Sequence, residues 1–162
     1  MNNFLCSCFN NKQNKKEEEE KYEVITFEED CSELQLFDFN SYETYVKIVD
    51  IYDGDTFTGC FKYNNKLMKY KFRCLGYDSP EMKPLKSIEN REEHIKKAHE
   101  DKEFFSKLVM YNNGICDVEL LHFDKYGRIL GTVYNNDKLD INEEMIKLGH
   151  GYPYDGGTKR SI

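Results

Sequence analysis

Leu67-Met68-Lys69-Tyr70-Lys71-Phe72-Arg73-Cys74-Leu75 alternates without a break. Met68, Tyr70, Phe72 and Cys74 fall on one side of an extended chain, and Lys69, Lys71 and Arg73 on the other. A period of two with one apolar and one basic side predicts a half-buried β-strand. The Asn64-Asn65 turn before it makes Thr56–Lys62 its hairpin partner. Upstream, Tyr45–Ile51 sets Val46 and Ile48 against Tyr45, Lys47, Val49 and Ile51. Downstream, Tyr111 to Gly114 breaks the chain before a fourth strand, Ile115–His122. A turn over Asp124–Gly127 then leads into a fifth, Arg128–Tyr134.

Two segments carry helical period instead. In residues 88–110, Ile88, Ile95, Ala98, Phe105, Leu108 and Val109 recur at three-, four- and seven-residue steps and form one apolar stripe. In residues 140–148, Asp140 is placed as N-cap, Glu143 completes a capping box and Gly149 is the stop. Three strands, a helix, two strands and a helix, joined by short connections, predict an α+β fold. Its expected form is a small closed five-stranded barrel with two to three helices packed outside, closure hiding the strand edges.

The 162 residues divide by composition. Residues 1–42 hold four Lys and ten Asp/Glu, whereas the remainder holds 19 basic and 20 acidic residues, so the net charge of -7 belongs mostly to the N-terminal part. The sequence therefore reads as an acidic, flexible extension over 1–42 and one domain over 43–162. That domain is near neutral. Polyanion binding is expected to come from local arginines and a metal ion rather than from a broad basic field.

No CxxC pair occurs among the six cysteines, which argues against zinc, and no secretory signal favours disulfides. The expectation is an intracellular, cytoplasmic chain with reduced Cys60, Cys74 and Cys116 in its strands. Cys6 and Cys8, between Phe4 and Phe9, are candidate S-acylation sites for a weak membrane tether, checked by palmitate labelling of a Cys6/Cys8→Ser variant. Nothing in the sequence points to a protein partner.

Three polar strings remain, each at a strand end or turn: Asp53-Gly54-Asp55-Thr56, Arg73 through Asp78-Ser79-Pro80-Glu81, and Asp124-Lys125-Tyr126-Gly127-Arg128. Read singly, each has a plain explanation. Asp-Gly is a common turn, Asp-Ser-Pro-Glu is an ordinary helix entry with Arg73 paired to Asp78, and Asp124–Arg128 is a surface hairpin. Read jointly, they supply carboxylates and arginines to one rigid barrel.

In that combination the sequence resembles the staphylococcal nuclease (thermonuclease) family. The family pattern is an Asp-Gly-Asp-Thr turn, an Arg-x-x-x-x-Asp-(Thr/Ser)-Pro-Glu segment and Asp-Lys-Tyr-Gly-Arg. All three stand here in order, and Asn142-Glu143 with Gly149 matches the family's next helix. The resemblance covers residues 44–154 and implies an OB-type barrel with a calcium-dependent site that cleaves DNA and RNA to 3′-phosphate ends. By motif it makes Asp55, Asp78 and the Ser79 carbonyl metal ligands, Glu81 the general base, and Arg73 and Arg128 the phosphate-binding pair. Lys125, Tyr126, Tyr152 and Tyr154 become substrate contacts, the tyrosines offering sequence-tolerant stacking. For Tyr152 and Tyr154, packing at the barrel rim is the competing reading.

The chemistry agrees with those roles. An all-oxygen ligand set suits a hard cation, a glutamate can take a proton from water, and guanidinium forks match phosphate. The alternative from another class is a catalytically silent barrel that binds nucleic acid or protein. Tyr152 through Arg160 reads as a turn-rich tail, without room for the family's further C-terminal helix. That leaves open how the outer face of the last helix is covered, and whether Leu34, Leu36, Phe37 and Phe39 pack there instead. The four histidines show no ligand spacing and receive no role.

Overall fold

The computed structural model describes residues 30 and 32–156. Cys6 and Cys8 lie outside the described residues, as do residues 157–162. The chain divides into two units, residues 1–36 and 37–162. In the first, the described residues are exposed and in neither helix nor strand.

The second unit contains β1 (Tyr42–Ile51), β2 (Thr56–Tyr63), β3 (Lys66–Cys74), β4 (Tyr77–Asp78), α1 (Arg91–Val109), β5 (Ile115–Phe123), β6 (Ile129–Tyr134), α2 (Ile141–Lys147) and β7 (Tyr152–Pro153). Five of the strands close a barrel in the order β1-β2-β3-β6-β5. All neighbours are antiparallel except β3 and β6, which run parallel over Phe72 to Cys74. This is the expected OB-type barrel, with two helices outside it.

The alternation read from the sequence sorts the side chains correctly. Val46, Ile48, Phe57, Phe61, Phe72, Cys74, Val118, Leu120, Ile129 and Val133 fill the barrel. Phe105 and Val109 of α1, with Ile141 and Met145 of α2, pack against them. Phe57 and Phe72, directly opposite each other on β2 and β3, stack with ring centres 4.9 Å apart. Ile51 leaves the predicted face because the register of β1 against β2 shifts between Ile48 and Asp50. Cys60, Cys74 and Cys116 are free thiols. At Gly131 a β-carbon would stand 2.7 Å from the Glu119 carbonyl, so closure of β6 on β5 needs glycine there.

Both helices sit where the period placed them, with instructive differences. α1 starts at Arg91, which leaves Ile88 outside it. The Asp-Ser-Pro-Glu segment is not a helix entry. Asp78 ends β4, and an irregular loop separates it from α1. α2 has the predicted N-cap, with the Glu143 amide donating to Asp140 Oδ1 at 3.0 Å. Part of the predicted turn-rich tail is a strand, because β7 pairs with β4 through Tyr77–Pro153 and Asp78–Tyr152.

Phe37 and Phe39 do not cover α2. They join Phe61, Tyr63 and Phe123 in an aromatic cluster at the barrel, where Phe39 is buried. Leu34 and Leu36 are exposed. An aromatic pair gains most where other ring edges and faces are already offered, which the barrel end provides and α2 does not.

Asn142 clips α2 to the barrel. Its Nδ2 donates to the Leu75 carbonyl at 2.9 Å and to the Gly131 carbonyl at 3.1 Å, while its Oδ1 accepts from the Val133 amide at 3.2 Å. Asn142→Ala leaves that buried amide without a partner. We expect a loss of about 2–3 kcal/mol, seen as a lower midpoint in chemical denaturation with an unchanged slope. A midpoint within error of the parent would contradict this role.

Candidate active site

The first string forms a tight turn between β1 and β2 for a local reason. Asp53 Oδ1 accepts from the backbone amides of Asp55 at 3.0 Å and Thr56 at 2.7 Å, closing an Asx-type turn. Burial, reinforced by the charge of Asp55 beside it, pushes the Asp53 carboxyl up to about 7, against the pull of those two amides. The Tyr77 hydroxyl of β4 donates to the Gly54 carbonyl at 2.6 Å and pins the turn from below.

Asp55 emerges from this turn only 1% exposed. Its Oδ1 accepts from the Thr56 hydroxyl at 2.8 Å and from Arg73 Nη1 at 2.7 Å, and its Oδ2 from the Ser79 amide at 2.7 Å. Arg73 opposes Thr56 across the β2–β3 ladder, which delivers its guanidinium to the turn. The other arm of the fork, Nη2, donates to Asp78 Oδ1 at 2.6 Å. Burial works against the Arg73 charge, but Asp55 and Asp78 outweigh it and raise its pKa above the ordinary value. One guanidinium thus joins the two carboxylates expected at the metal.

The third string holds Arg128. Asp124 Oδ1 accepts from the amides of Tyr126 at 2.8 Å and Arg128 at 2.9 Å, and Oδ2 accepts from Arg128 Nε at 2.7 Å. Gly127, at φ 77°, makes the turn. Against the effect of burial, the Arg128 amide and guanidinium and the Tyr126 amide lower the Asp124 pKa. So fixed, Arg128 reaches across the barrel mouth, and its Nη1 donates to the Thr56 hydroxyl at 3.3 Å. A continuous hydrogen-bonded path therefore runs Asp78–Arg73–Asp55–Thr56–Arg128, joining all three strings.

Of the remaining predicted residues, Tyr126, Tyr152 and Tyr154 border this path. Tyr154 lies 5.7 Å from the Arg73 guanidinium, measured to the ring centre, and Tyr152 pairs with Asp78 in the β4–β7 ribbon. Tyr126, 72% exposed, stands 5.5 Å from the Arg128 guanidinium and 5.1 Å from Lys125 Nζ. Glu81 is exposed and follows the buried Pro80, three residues beyond Asp78. Ser79 is buried, and its Oγ is one of two buried side-chain atoms among the described residues without a hydrogen-bond partner.

These residues fit an oxygen-ligated cation. A carboxylate offers about four acceptor positions, and the bonds above leave one of them open on Asp55 Oδ2. The orphaned Ser79 Oγ adds an unsatisfied oxygen on a residue that the fold brings to Asp55, since the Ser79 amide donates to Asp55 Oδ2. No three His, Cys, Asp or Glu side chains converge into a metal cage among the described residues. The expected shell of two carboxylates, a carbonyl and waters does not require one.

Several supporting residues were not singled out by the sequence. Asp53, Thr56 and Asp124 sit inside the quoted strings, and their turn-capping pattern was the available signal. Asp101 and His150 gave none. Asp101, fully buried on α1, lies 2.7 Å from both Lys97 Nζ and His150 Nδ1. His150 in turn stacks on Phe104, with ring centres 3.9 Å apart. A β-carbon on Gly54 would meet the side chains of both Ser79 and Asp101, so this buried group backs the Asp53–Thr56 turn.

Comparison with curated proteins gave no match. Comparison with family models matched residues 71–158, over half of the chain, to the family described as staphylococcal nuclease homologue. The matched part runs from β3 through the Arg73 and Arg128 strings to β7, and the Asp53–Thr56 turn joins it through Arg73. On that match and on the closed barrel that carries it, the chain belongs to the staphylococcal nuclease homologue family.

Proposed function

We propose that this protein is an endonuclease that hydrolyses phosphodiester bonds of DNA and RNA with little sequence preference, assisted by calcium. The observation that supports it best is the unbroken path from Asp78 through Arg73, Asp55 and Thr56 to Arg128. It sets two guanidiniums and two carboxylates on rigid strand ends around one mouth. A silent binding barrel has no need to hold all four.

Asp55, Asp78 and the Ser79 carbonyl would hold the cation, which when bound lowers the negative charge facing the substrate and polarises the phosphate. Arg73 and Arg128 bind the non-bridging phosphate oxygens. As the phosphorus becomes five-coordinate, charge grows on those oxygens and the paired N–H donors strengthen. Glu81 takes a proton from the attacking water. The new bond joins water oxygen to phosphorus, and the bond from phosphorus to the 5′-oxygen breaks. The 5′-oxygen leaves as a hydroxyl after protonation from solvent, and the phosphate stays on the 3′ side. Tyr126, Tyr152 and Tyr154 offer ring faces to bases, and Lys125 a charge to a neighbouring phosphate.

Circular single-stranded DNA incubated with the protein and calcium tests this directly. Linear products ending in 3′-phosphate are expected, because a circle offers no end to an exonuclease. Intact circles, or 5′-phosphate products, would contradict the reading.

A further inference from the structure

Strand register brings Lys47 and Lys62 to the face of β3 that already carries Lys69, Lys71 and Arg73. On the outer face of β1–β3, residues directly opposite one another form rows that lead away from the site. Thr56 and Arg73 make the first row, Asp50, Thr58 and Lys71 the second, Lys47, Cys60 and Lys69 the third, and Lys62 and Leu67 the fourth. Successive rows are two residues apart along a strand, about 7 Å. Lys47, Lys62, Lys69 and Lys71 are all exposed. Lys47 Nζ donates to the Asn113 carbonyl. Lys62, Lys69 and Lys71 have no carboxylate within ion-pair distance among the described residues, and Asp50 is the one carboxylate in these rows.

This changes the expectation that a near-neutral domain lacks a basic field. The domain is neutral in sum but not in distribution, and its uncompensated cations continue the line of Arg73. We infer that this face is the track for single-stranded nucleic acid leaving the site, with backbone phosphates on Lys71, Lys69 and Lys62. The inference rests on the nuclease reading of the Arg73 end. Charge complementarity names a polyanion, and the shape of the face selects a single strand. The wall of a small barrel is convex and twisted, which a flexible strand can follow. A duplex, stiff over roughly 150 base pairs, touches such a wall only at a tangent. Small residues between the lysines (Thr58, Cys60) leave the backbone free to lie close.

The test uses the full chain with chelator present, so that binding is read without cleavage, and a fluorescent oligothymidylate of about 16 nucleotides. Anisotropy titrations over a range of salt give log K against log salt for the parent and for Lys62→Gln/Lys69→Gln/Lys71→Gln. Each single-strand phosphate contact contributes about −0.7 to that slope, so three lost contacts should flatten it by about 2, with weaker binding at low salt. A control variant, Lys96→Gln/Lys107→Gln/Lys147→Gln, removes the same charge from the helices and should keep the parent slope. Calcium-dependent cleavage of a dinucleoside monophosphate should be unchanged in the track variant, since its single phosphate lies at Arg73 and leaves none for Lys71.

An unchanged slope in the track variant, or equal flattening in the control, would overturn the inference. Equal flattening on a blunt duplex would overturn the choice of a single strand. The two readings fail separately. Cleavage with lysine-independent binding removes the track and keeps the nuclease. Lysine-dependent binding without cleavage at any calcium concentration removes the nuclease and keeps the track.

Discussion

Replacing Arg73 by lysine is expected to lower turnover 100- to 1000-fold, about 3–4 kcal/mol of transition-state stabilisation. The reason lies in the fork. Arg73 Nη1 reaches Asp55 Oδ1 at 2.7 Å while Nη2 reaches Asp78 Oδ1 at 2.6 Å and the Tyr77 carbonyl at 3.3 Å. A lysine keeps one positive charge but has a single point of attachment. It can satisfy one carboxylate or approach the phosphate, and it cannot hold a planar pair of donors at fixed spacing. The substitution preserves charge in a site where the Arg73 side chain is only 11% exposed, so it avoids the uncompensated carboxylates that alanine would leave. Single-turnover rates at saturating substrate separate this effect from binding. A loss of less than tenfold would mean that Arg73 organises Asp55 and Asp78 without touching the reacting phosphate.

Glu81→Gln carries the second large expectation, a fall in turnover of about 100- to 10,000-fold. Glutamine matches glutamate in size and keeps one carbonyl acceptor, but it cannot take up the proton of the attacking water. Glu81 is exposed on the loop after Pro80, so the change costs little stability. Asp55, Asp78, Arg73 and Arg128 are untouched, and binding of calcium and of a mononucleotide should survive. Equilibrium dialysis with both, beside the rate measurement, checks that combination. Turnover within tenfold of the parent would move the base elsewhere. Loss of calcium binding together with turnover would instead make Glu81 part of the metal shell.

The barrel was legible because a period of two needs no tertiary information. Met68, Tyr70, Phe72 and Cys74 declare their face by alternation alone, and the structure turns that face inward. Two-residue strands carry no period, so β4 and β7 were invisible until Tyr77 and Asp78 met Pro153 and Tyr152. Phe37 and Phe39 could be named from the sequence but not placed, and only the rings of Phe61, Tyr63 and Phe123 explain their position. The three polar strings could be listed from the sequence, but their connection through the Thr56 hydroxyl is a product of the fold. Asp101 and His150 are separated by a helix and two strands, and nothing local marks them as a pair. The lysine rows are partly a similar case: Lys69 and Lys71 share a face by alternation, but Lys47 and Lys62 join them only through strand register.

The site's central claim is that Asp55 and Asp78 recruit calcium so that Arg73 and Arg128 can act on a phosphodiester. Hydrolysis of labelled single-stranded DNA by the purified protein, followed against free calcium and reversed by chelator, addresses it most directly. Cleavage that rises with calcium, saturates, stops on chelation and is lost in Glu81→Gln is the predicted result. A folded protein that leaves the DNA intact at every calcium concentration, or cuts it equally well with chelator present, would contradict it.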